Sequence, residues 1–150
     1  MAAPNASAWP AWTAPPERLA PGRGAPAAAA ALAWLEALAE RQAWPAKARL
    51  ALVLCADEAL ANISAHARTP AGDAARLWLA CGPTAGGWAL CIEDDGTAFD
   101  PTAQELPALA ASLEEARIGG HGLRLMRHYL RHLRYRREGE RNLLLLDVAL

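Results

Sequence analysis

The chain is poor in lysine, in phenylalanine and tyrosine, and in net charge. Its 150 residues include one lysine, Lys47, one phenylalanine and two tyrosines. A single lysine far from any glycine-rich stretch excludes the Walker-type phosphate loop and the strand lysine of eukaryotic-type protein kinases. The formal net charge of −1 excludes a uniformly cationic nucleic-acid binder. No window approaches the ~20 uncharged apolar residues of a membrane span, so we expect no direct contact with nucleic acid or membrane.

Cysteine is also scarce, and its pattern is not that of a metal site. The three cysteines, Cys55, Cys81 and Cys91, lie singly within apolar runs. An odd number without a CxxC pair predicts buried thiols in a reducing compartment, and the histidines lack zinc-ligand spacing. The first ten residues lack the basic start and apolar run of a secretory signal. We therefore expect a cytoplasmic protein without zinc.

Proline and apolar spacing divide the chain into a short leading segment and one domain. Residues 1–26 hold six of the 11 prolines, which predicts a tail with room for an edge strand. Residues 27–150 have the length of a single domain. Leucines spaced for one buried face predict a helix over residues 27–41, and a second helix is predicted over residues 46–67.

The second half of the chain has the pattern of a sheet with a third helix. Two apolar runs at residues 76–81 and 88–92 are separated by turn residues, which predicts a hairpin. Residues 97–119 form a long connection with a short helix predicted near 108–116, and long connections are commonly functional lids. A third helix is predicted from Gly120 to about His132, followed by strands at residues 134–138 and 142–149. The expected fold is α+β, a two-layer sandwich with helices on one face of a mainly antiparallel or mixed sheet.

The second predicted helix carries two polar residues on one face. Glu58 and Asn62 are four residues apart, so they share a side of the helix. A carboxylate and a carboxamide one turn apart can accept a proton and hold a divalent cation. An ordinary solvated polar face has the same pattern.

Two further segments have the residue types of a ligand site. Asp94 and Gly96 follow an apolar strand, which places a carboxylate at the rim of the sheet beside a glycine that admits close approach. Gly120 and Gly122 open the third helix, where backbone N–H groups and the helix dipole favour a phosphate. A plain acidic turn and a flexible loop are the alternatives. Leu125 stands where a dinucleotide-binding fingerprint needs its third glycine.

The order of these three segments resembles the N, G1 and G2 boxes of the GHKL ATPases, which have the Bergerat ATP-binding fold. The closer resemblance is to the anti-sigma-factor serine/threonine kinases of this superfamily. It extends from about Ala27 to the C-terminus. The matching stretches are Leu-Cys-Ala-Asp-Glu-Ala-Leu-Ala-Asn at 54–62, Phe-Asp-Pro at 99–101, Leu-Arg-Leu-Met-Arg at 123–127, and the pattern Tyr-x-Arg, Gly, Asn-x-Leu within 135–144.

The resemblance implies a role for each matching residue. Asn62 would ligate the Mg²⁺ that bridges the ATP phosphates, and Glu58 would be the general base toward a serine hydroxyl. Asp94 would accept the adenine amino group, and Gly96 would admit the base. The phosphates would be wrapped by Gly120, Gly122 and Leu123, with residues 97–119 as the ATP lid.

The resemblance also implies partners, and it leaves alternatives open. The leading hypothesis is an ATP-dependent kinase that binds a sigma factor and phosphorylates a STAS-type anti-anti-sigma protein. The second is an ATP-dependent binding module without phosphoryl transfer, and Glu58 favours the kinase because binding alone does not need it. A histidine-kinase catalytic domain would need a dimerising hairpin for which 150 residues leave no space. Whether the chain forms a homodimer stays open.

One arginine-rich pattern has no assigned role. Arg124, Arg127, Arg131 and Arg134 are spaced as a helical stripe beside an apolar one. A solvated face next to the core and a docking surface for an acidic partner are both consistent with this spacing.

Overall fold

The structure, a computed structural model, describes residues 9–103 and 121–150, except the side chain of His121. The described part contains five strands and three α-helices. The strands are Glu17–Arg23 (β1), Arg76–Thr84 (β2), Gly87–Asp94 (β3), His132–Glu138 (β4) and Arg141–Ala149 (β5). The helices are Gly24–Arg41 (α1), Ala46–His66 (α2) and His121–Tyr129 (α3), and a 3-10 turn spans Pro101–Ala103.

The five strands form one antiparallel sheet in the order β1-β2-β3-β5-β4. Because β5 returns between β3 and β4, the last strand of the chain lies beside the central strand. Asp94, the last residue of β3, is therefore opposite Leu77 on one side and Asn142 on the other. This register brings a residue near the C-terminus next to the predicted acidic turn.

The helices cover one face of the sheet, as the expected two-layer α+β fold requires. Alternate strand residues point toward the helices, because successive side chains of a strand face opposite sides. Alanine has the highest helix propensity, and small side chains let α1 and α2 pack closely. No helix in the described ranges is long and apolar enough to cross a membrane. Fully buried side chains of this core include Leu35, Leu38, Leu52, Leu60, Leu77, Leu90, Ile92, Met126, Leu146 and Val148.

β1 is an edge strand that contains Pro21. Proline cannot donate a ladder hydrogen bond, so an edge is where a strand tolerates it. The register shifts between Leu19 and Gly22, and Gly22 has a φ of 103° that favours glycine. The division of the chain at residue 26 stays a prediction.

The face of the sheet away from the helices is covered by the residues that precede β1. Thr13 N donates to Pro83 O at 2.9 Å. The guanidinium of Arg136 lies 4.7 Å from the ring centroid of Trp9, a cation–π contact. A Cβ built on Gly82 would lie 2.9 Å from Pro16 Cα, so the leading segment packs directly on β2.

The third helix ends earlier than predicted. α3 stops at Tyr129 rather than near His132, and the chain enters β4 at His132 rather than at Arg134. Arg131 N donates to Asp147 O at 2.8 Å, so the chain joins the edge of β5 where the apolar spacing suggested another turn of helix. The prediction was wrong because a tertiary hydrogen bond outweighs local periodicity.

The arginine pattern is consequently not a single helical stripe. Arg131 lies beyond α3, and its Nε donates to the buried Asp147 carboxylate at 2.7 Å. Arg134 lies on β4, and Arg127 Nη2 donates to Thr102 O at 2.8 Å. Arg131 and Arg127 are therefore held by intramolecular contacts.

Candidate functional site

Asp94 is a buried carboxylate whose two oxygens have different surroundings. Its side chain lies at the end of β3 and the residue is 5% exposed. Oδ1 accepts hydrogen bonds from Gly96 N at 2.9 Å and from Asn142 Nδ2 at 3.0 Å. No described residue donates to Oδ2. The second oxygen could therefore accept a hydrogen bond from a ligand.

The electrostatic surroundings of Asp94 reflect its burial. Burial raises the pKa of this carboxyl above its ordinary value, and the neighbouring Asp95 charge acts in the same direction. The hydrogen bonds from Asn142 and Gly96 and the charge of Arg137 lower it. Burial dominates, so the ionised form is costly unless a further donor meets it.

Gly96 is at a close approach that a side chain would block. A Cβ at this position would lie 2.9 Å from Asp94 Oδ1 and 3.1 Å from Ala67 Cβ. The neighbouring Thr97 N donates to Arg68 O at 2.9 Å. The acidic turn, residues 94–97, is therefore hydrogen-bonded to the segment that follows α2, and only glycine fits at position 96.

Asn142 completes this cluster, and the sequence interpretation gave it no role in the site. Its Nδ2 donates to Asp94 Oδ1 at 3.0 Å, to Thr97 O at 3.0 Å and to Gly96 O at 3.3 Å. The C-terminal motif contained Asn142, but only the pairing of β5 with β3 shows that it faces Asp94.

Glu58 and Gly122 lie close together in a second part of the predicted site. Glu58 is half-buried on α2. A Cβ on Gly122, in the first turn of α3, would lie 2.8 Å from Glu58 Oε2. The carboxylate therefore stands at the N-terminus of a helix, where backbone N–H groups have no partner within the helix. Burial and the nearby Glu58 charge raise the pKa of the Cys55 thiol to about 11, so Cys55 stays neutral.

The remaining predicted residues differ in exposure. Asn62 is exposed on α2, and its side chain makes no hydrogen bond to a described residue. Leu123 is buried, so only its backbone can face a ligand. Gly120 lies outside the described residues.

The predicted residues follow one another along α2. Glu58, beside Gly122, precedes Asn62 by four residues, and Ala67, beside Gly96, follows five residues later. At the rise of an α-helix the first step is about 6 Å, and Ala67 is the first residue after α2. The Glu58 carboxylate, the Asn62 carboxamide and the turn that carries Asp94 are thus found at successive points along and just beyond α2.

Only the start of the predicted lid belongs to the described chain. Phe99 is 55% exposed, and its N–H donates to Asn142 Oδ1 at 3.3 Å. Asp100 Oδ1 accepts from Thr102 N at 2.8 Å and begins the 3-10 turn. Residues 104–119, with the helix predicted near 108–116, lie outside the described ranges.

A groove elsewhere on the molecule has a lining unlike that of the predicted site. A shallow groove of about 410 Å³ lies between α1 and α2, and its lining contains neither Asp94 nor Gly122. Asp57 and Ser64 are its polar side chains, and alanines form most of its wall. Its lining contains no arginine, lysine, histidine or glycine that would suit a phosphate group. In the described ranges, no three acidic, histidine or cysteine side chains cluster as metal ligands.

Comparison with known proteins agrees with this geometry. The profile of the histidine kinase-like ATPase domain matches residues 23–147. The chain is also similar to the serine/threonine-protein kinase BtrW of Bordetella bronchiseptica. The two are 51% identical over 116 residues, which cover 77% of this chain and 81% of that protein. Residues 23–147, which the profile matches, include α2, Asp94, Gly96 and Asn142.

Proposed function

The chain belongs to the histidine kinase-like ATPase family and is an ATP-dependent protein kinase of the serine/threonine type, and from this premise we propose that it regulates a sigma factor. Its phosphoryl acceptor would be a serine of a STAS-type anti-anti-sigma protein, and its second partner the sigma factor itself. Both partners act in the cytoplasm, so we propose that compartment for the chain. The observation that carries the proposal is the position of Glu58, whose carboxylate lies against Gly122 at the start of α3.

The base of ATP is proposed to bind at Asp94. Oδ2 has no donor within residues 9–103 and 121–150, and the amino group of adenine supplies an N–H that fits it. Gly96 lets the backbone lie close to Asp94, since a Cβ there would stand 2.9 Å from Oδ1 and displace the carboxylate that is proposed to meet the base. A buried carboxylate whose pKa burial raises gains most from such a donor.

The phosphates are proposed to bind at the N-terminus of α3. The N–H groups of Gly122 and Leu123 lie in the first turn of that helix, where the dipole is positive. Gly120 is assigned to the same loop from the sequence pattern. Since Lys47 is the only lysine, backbone groups and arginines must supply the positive potential.

Asn62 fits the requirements of a magnesium ligand. Its exposed carboxamide offers a hard oxygen donor one turn from Glu58. Mg²⁺ commonly takes one or two protein ligands, with substrate phosphates and water completing its shell. When bound, the ion would neutralise charge on the phosphates.

Glu58 is proposed as the general base of transfer. The substrate serine oxygen attacks the γ-phosphorus while the bond to the oxygen that bridges the β- and γ-phosphates breaks. ADP leaves, and the serine proton passes to the Glu58 carboxylate. The helix N-terminus beside this carboxylate holds the phosphoryl group in reach.

The proposal is tested with γ-labelled ATP, Mg²⁺ and candidate STAS proteins encoded near the gene for this chain. We expect one of them to be labelled on a serine, and its serine-to-alanine variant to stay unlabelled. If the chain binds ATP yet labels no STAS protein, the proposed class of acceptor is wrong.

Asn62→Ala is expected to separate metal binding from base binding. The substitution removes one oxygen ligand from an ion that tolerates little distortion of its octahedral shell. The gain in ATP affinity on adding Mg²⁺ should largely disappear, whereas affinity measured in EDTA should stay at the wild-type level. Calorimetry with and without Mg²⁺ measures both quantities. An unchanged Mg²⁺ dependence would remove Asn62 from the metal site.

Gly122→Ala is expected to displace the Glu58 carboxylate. The new Cβ would lie 2.8 Å from Oε2, and the flexible end of the glutamate can move away. The fold should therefore survive, while the transfer rate falls by about tenfold or more, because small misplacements at reacting groups are costly. Gly139→Asn, at a turn with open space and a φ that asparagine tolerates, is the control that should keep the wild-type rate.

A further inference from the structure

The side chain of Asn142 makes five hydrogen bonds, to residues of three different segments. The residue is 6% exposed, and its amide nitrogen meets three acceptors, one of them Asp94 Oδ1. Its amide oxygen accepts from Tyr135 Oη at 2.6 Å and from Phe99 N at 3.3 Å. Both ends of the amide are thus occupied inside the candidate base site.

This network permits only one orientation of the amide. A flipped Asn142 would place its NH₂ against Phe99 N–H, a group that can only donate. Its oxygen would face the Asp94 carboxylate and two backbone carbonyls. Since acceptors do not pair with acceptors, the partners assign the nitrogen to the side of Asp94.

The orientation of Asn142 in turn determines the orientation of Asp94. A carboxylate has two equivalent oxygens, and rotation about the Cβ–Cγ bond would exchange or tilt them. Two donors, Asn142 Nδ2 and Gly96 N, converge on the same oxygen, Oδ1. The plane of the carboxylate is therefore held, and Oδ2 is presented in one direction.

We propose that Asn142 is the positioning residue for base recognition, which it achieves by holding Asp94 Oδ1 so that Oδ2 alone meets the base. This inference rests on the proposed ATP site. Tyr135 contributes by fixing the amide of Asn142. The same amide joins Thr97 and Phe99, the first residues of the connection after the acidic turn, so base recognition and the start of that connection form one hydrogen-bonded unit.

Preference for ATP over GTP is the property that this network should control. ATP presents an amino donor to Oδ2, and GTP presents a carbonyl oxygen at the same place. A carboxylate held in one plane binds the amino donor of ATP and repels the carbonyl of GTP. A carboxylate that is free to rotate does both less effectively. The ratio of the two affinities therefore reports on positioning, while general destabilisation would weaken both nucleotides alike.

The test is calorimetry of ATP and GTP binding to the full chain with substitutions at Asn142. Asn142→Ala and Asn142→Leu both remove the donor to Asp94, and the leucine keeps most of the volume. Each should lower the ATP-to-GTP affinity ratio by roughly ten- to a hundredfold, as loss of a hydrogen bond to a charged group implies. Transfer assays should show a raised KM for ATP with kcat little changed. A folded variant with the wild-type ratio would overturn the proposal.

If both Asn142 variants fail to fold, Tyr135→Phe provides a second test of the hydrogen-bond network. It removes a single neutral donor from a half-buried position, so the ratio should fall by a smaller factor, roughly two- to tenfold. Tyr129→Phe removes the only other tyrosine hydroxyl, on an exposed residue outside the network, and should leave the ratio unchanged. Equal ratios in the wild type and both tyrosine variants would contradict the role of the network. Absence of ATP binding by the wild type would instead refute the proposed function.

Discussion

Glu58→Gln is expected to lower the rate of phosphoryl transfer by about 10²–10⁴-fold, the usual contribution of a positioned general base. Glutamine keeps the size and the hydrogen-bonding shape of the side chain but cannot take the serine proton. Affinity for Mg-ATP should stay close to that of the wild type, because adenine and metal recognition are assigned to other residues. Rapid-quench assays with the labelled nucleotide measure the rate, and calorimetry measures the affinity.

A neighbouring carboxylate provides the control for this substitution. Asp57 precedes Glu58 on α2, is exposed, and lines the groove toward α1. Asp57→Asn makes the same change of charge one residue away and should transfer phosphate at the wild-type rate. If Glu58→Gln also transfers at that rate, Glu58 is not the base; if both variants are equally slow, the loss reflects the charge of the helix.

Asp94→Asn should weaken ATP binding by roughly ten- to a hundredfold, because charge-assisted hydrogen bonds contribute about 1.5–3 kcal/mol. Gly96 N and Asn142 Nδ2 both donate to the position of Oδ1, so the amide oxygen of the new asparagine must lie there. Its NH₂ then replaces Oδ2 and faces the adenine amino group, a donor against a donor. GTP, which offers a carbonyl, should lose no affinity and should gain some.

The fold is expected to tolerate the loss of this charge. Burial raises the pKa of Asp94, and a carboxyl whose folded pKa is raised contributes stability that is present at low pH and lost as the pH rises. At neutral pH the ionised group therefore costs stability, and its replacement by a neutral amide should not lower the midpoint of denaturant unfolding. Asp95→Asn, next in the chain, should keep the wild-type preference for ATP. Equal affinity of the wild type for ATP and GTP would refute the assignment of Asp94.

Much of the fold could be predicted from the sequence because local and tertiary preferences agree. The helices α1 and α2 carry buried residues at helical spacing, and their predicted and observed ends differ by three residues or fewer. The hairpin of β2 and β3 follows from apolar runs with a turn between them. The end of α3 could not be predicted, since the hydrogen bond from Arg131 N to Asp147 O depends on where β5 lies.

Part of the candidate site could likewise be predicted from the sequence, and part could not. Glu58, Asn62, Asp94 and Gly96 could be proposed because each lies in a short segment whose residue types suggest its chemistry. Asn142 was not proposed, because it reaches Asp94 across 48 residues of sequence through the β3–β5 register. The contact between Gly122 and Glu58 likewise depends on the packing of α3 against α2, which no local pattern contains.

The site is tested most directly by a crystal structure of the chain with Mg²⁺ and a non-hydrolysable ATP analogue. We predict that the adenine amino group donates to Asp94 Oδ2, that the metal is bound by Asn62, and that the γ-phosphate lies at the start of α3 beside Glu58. A nucleotide seated in the groove between α1 and α2, or a base that leaves Asp94 Oδ2 without a donor, would contradict the proposed site.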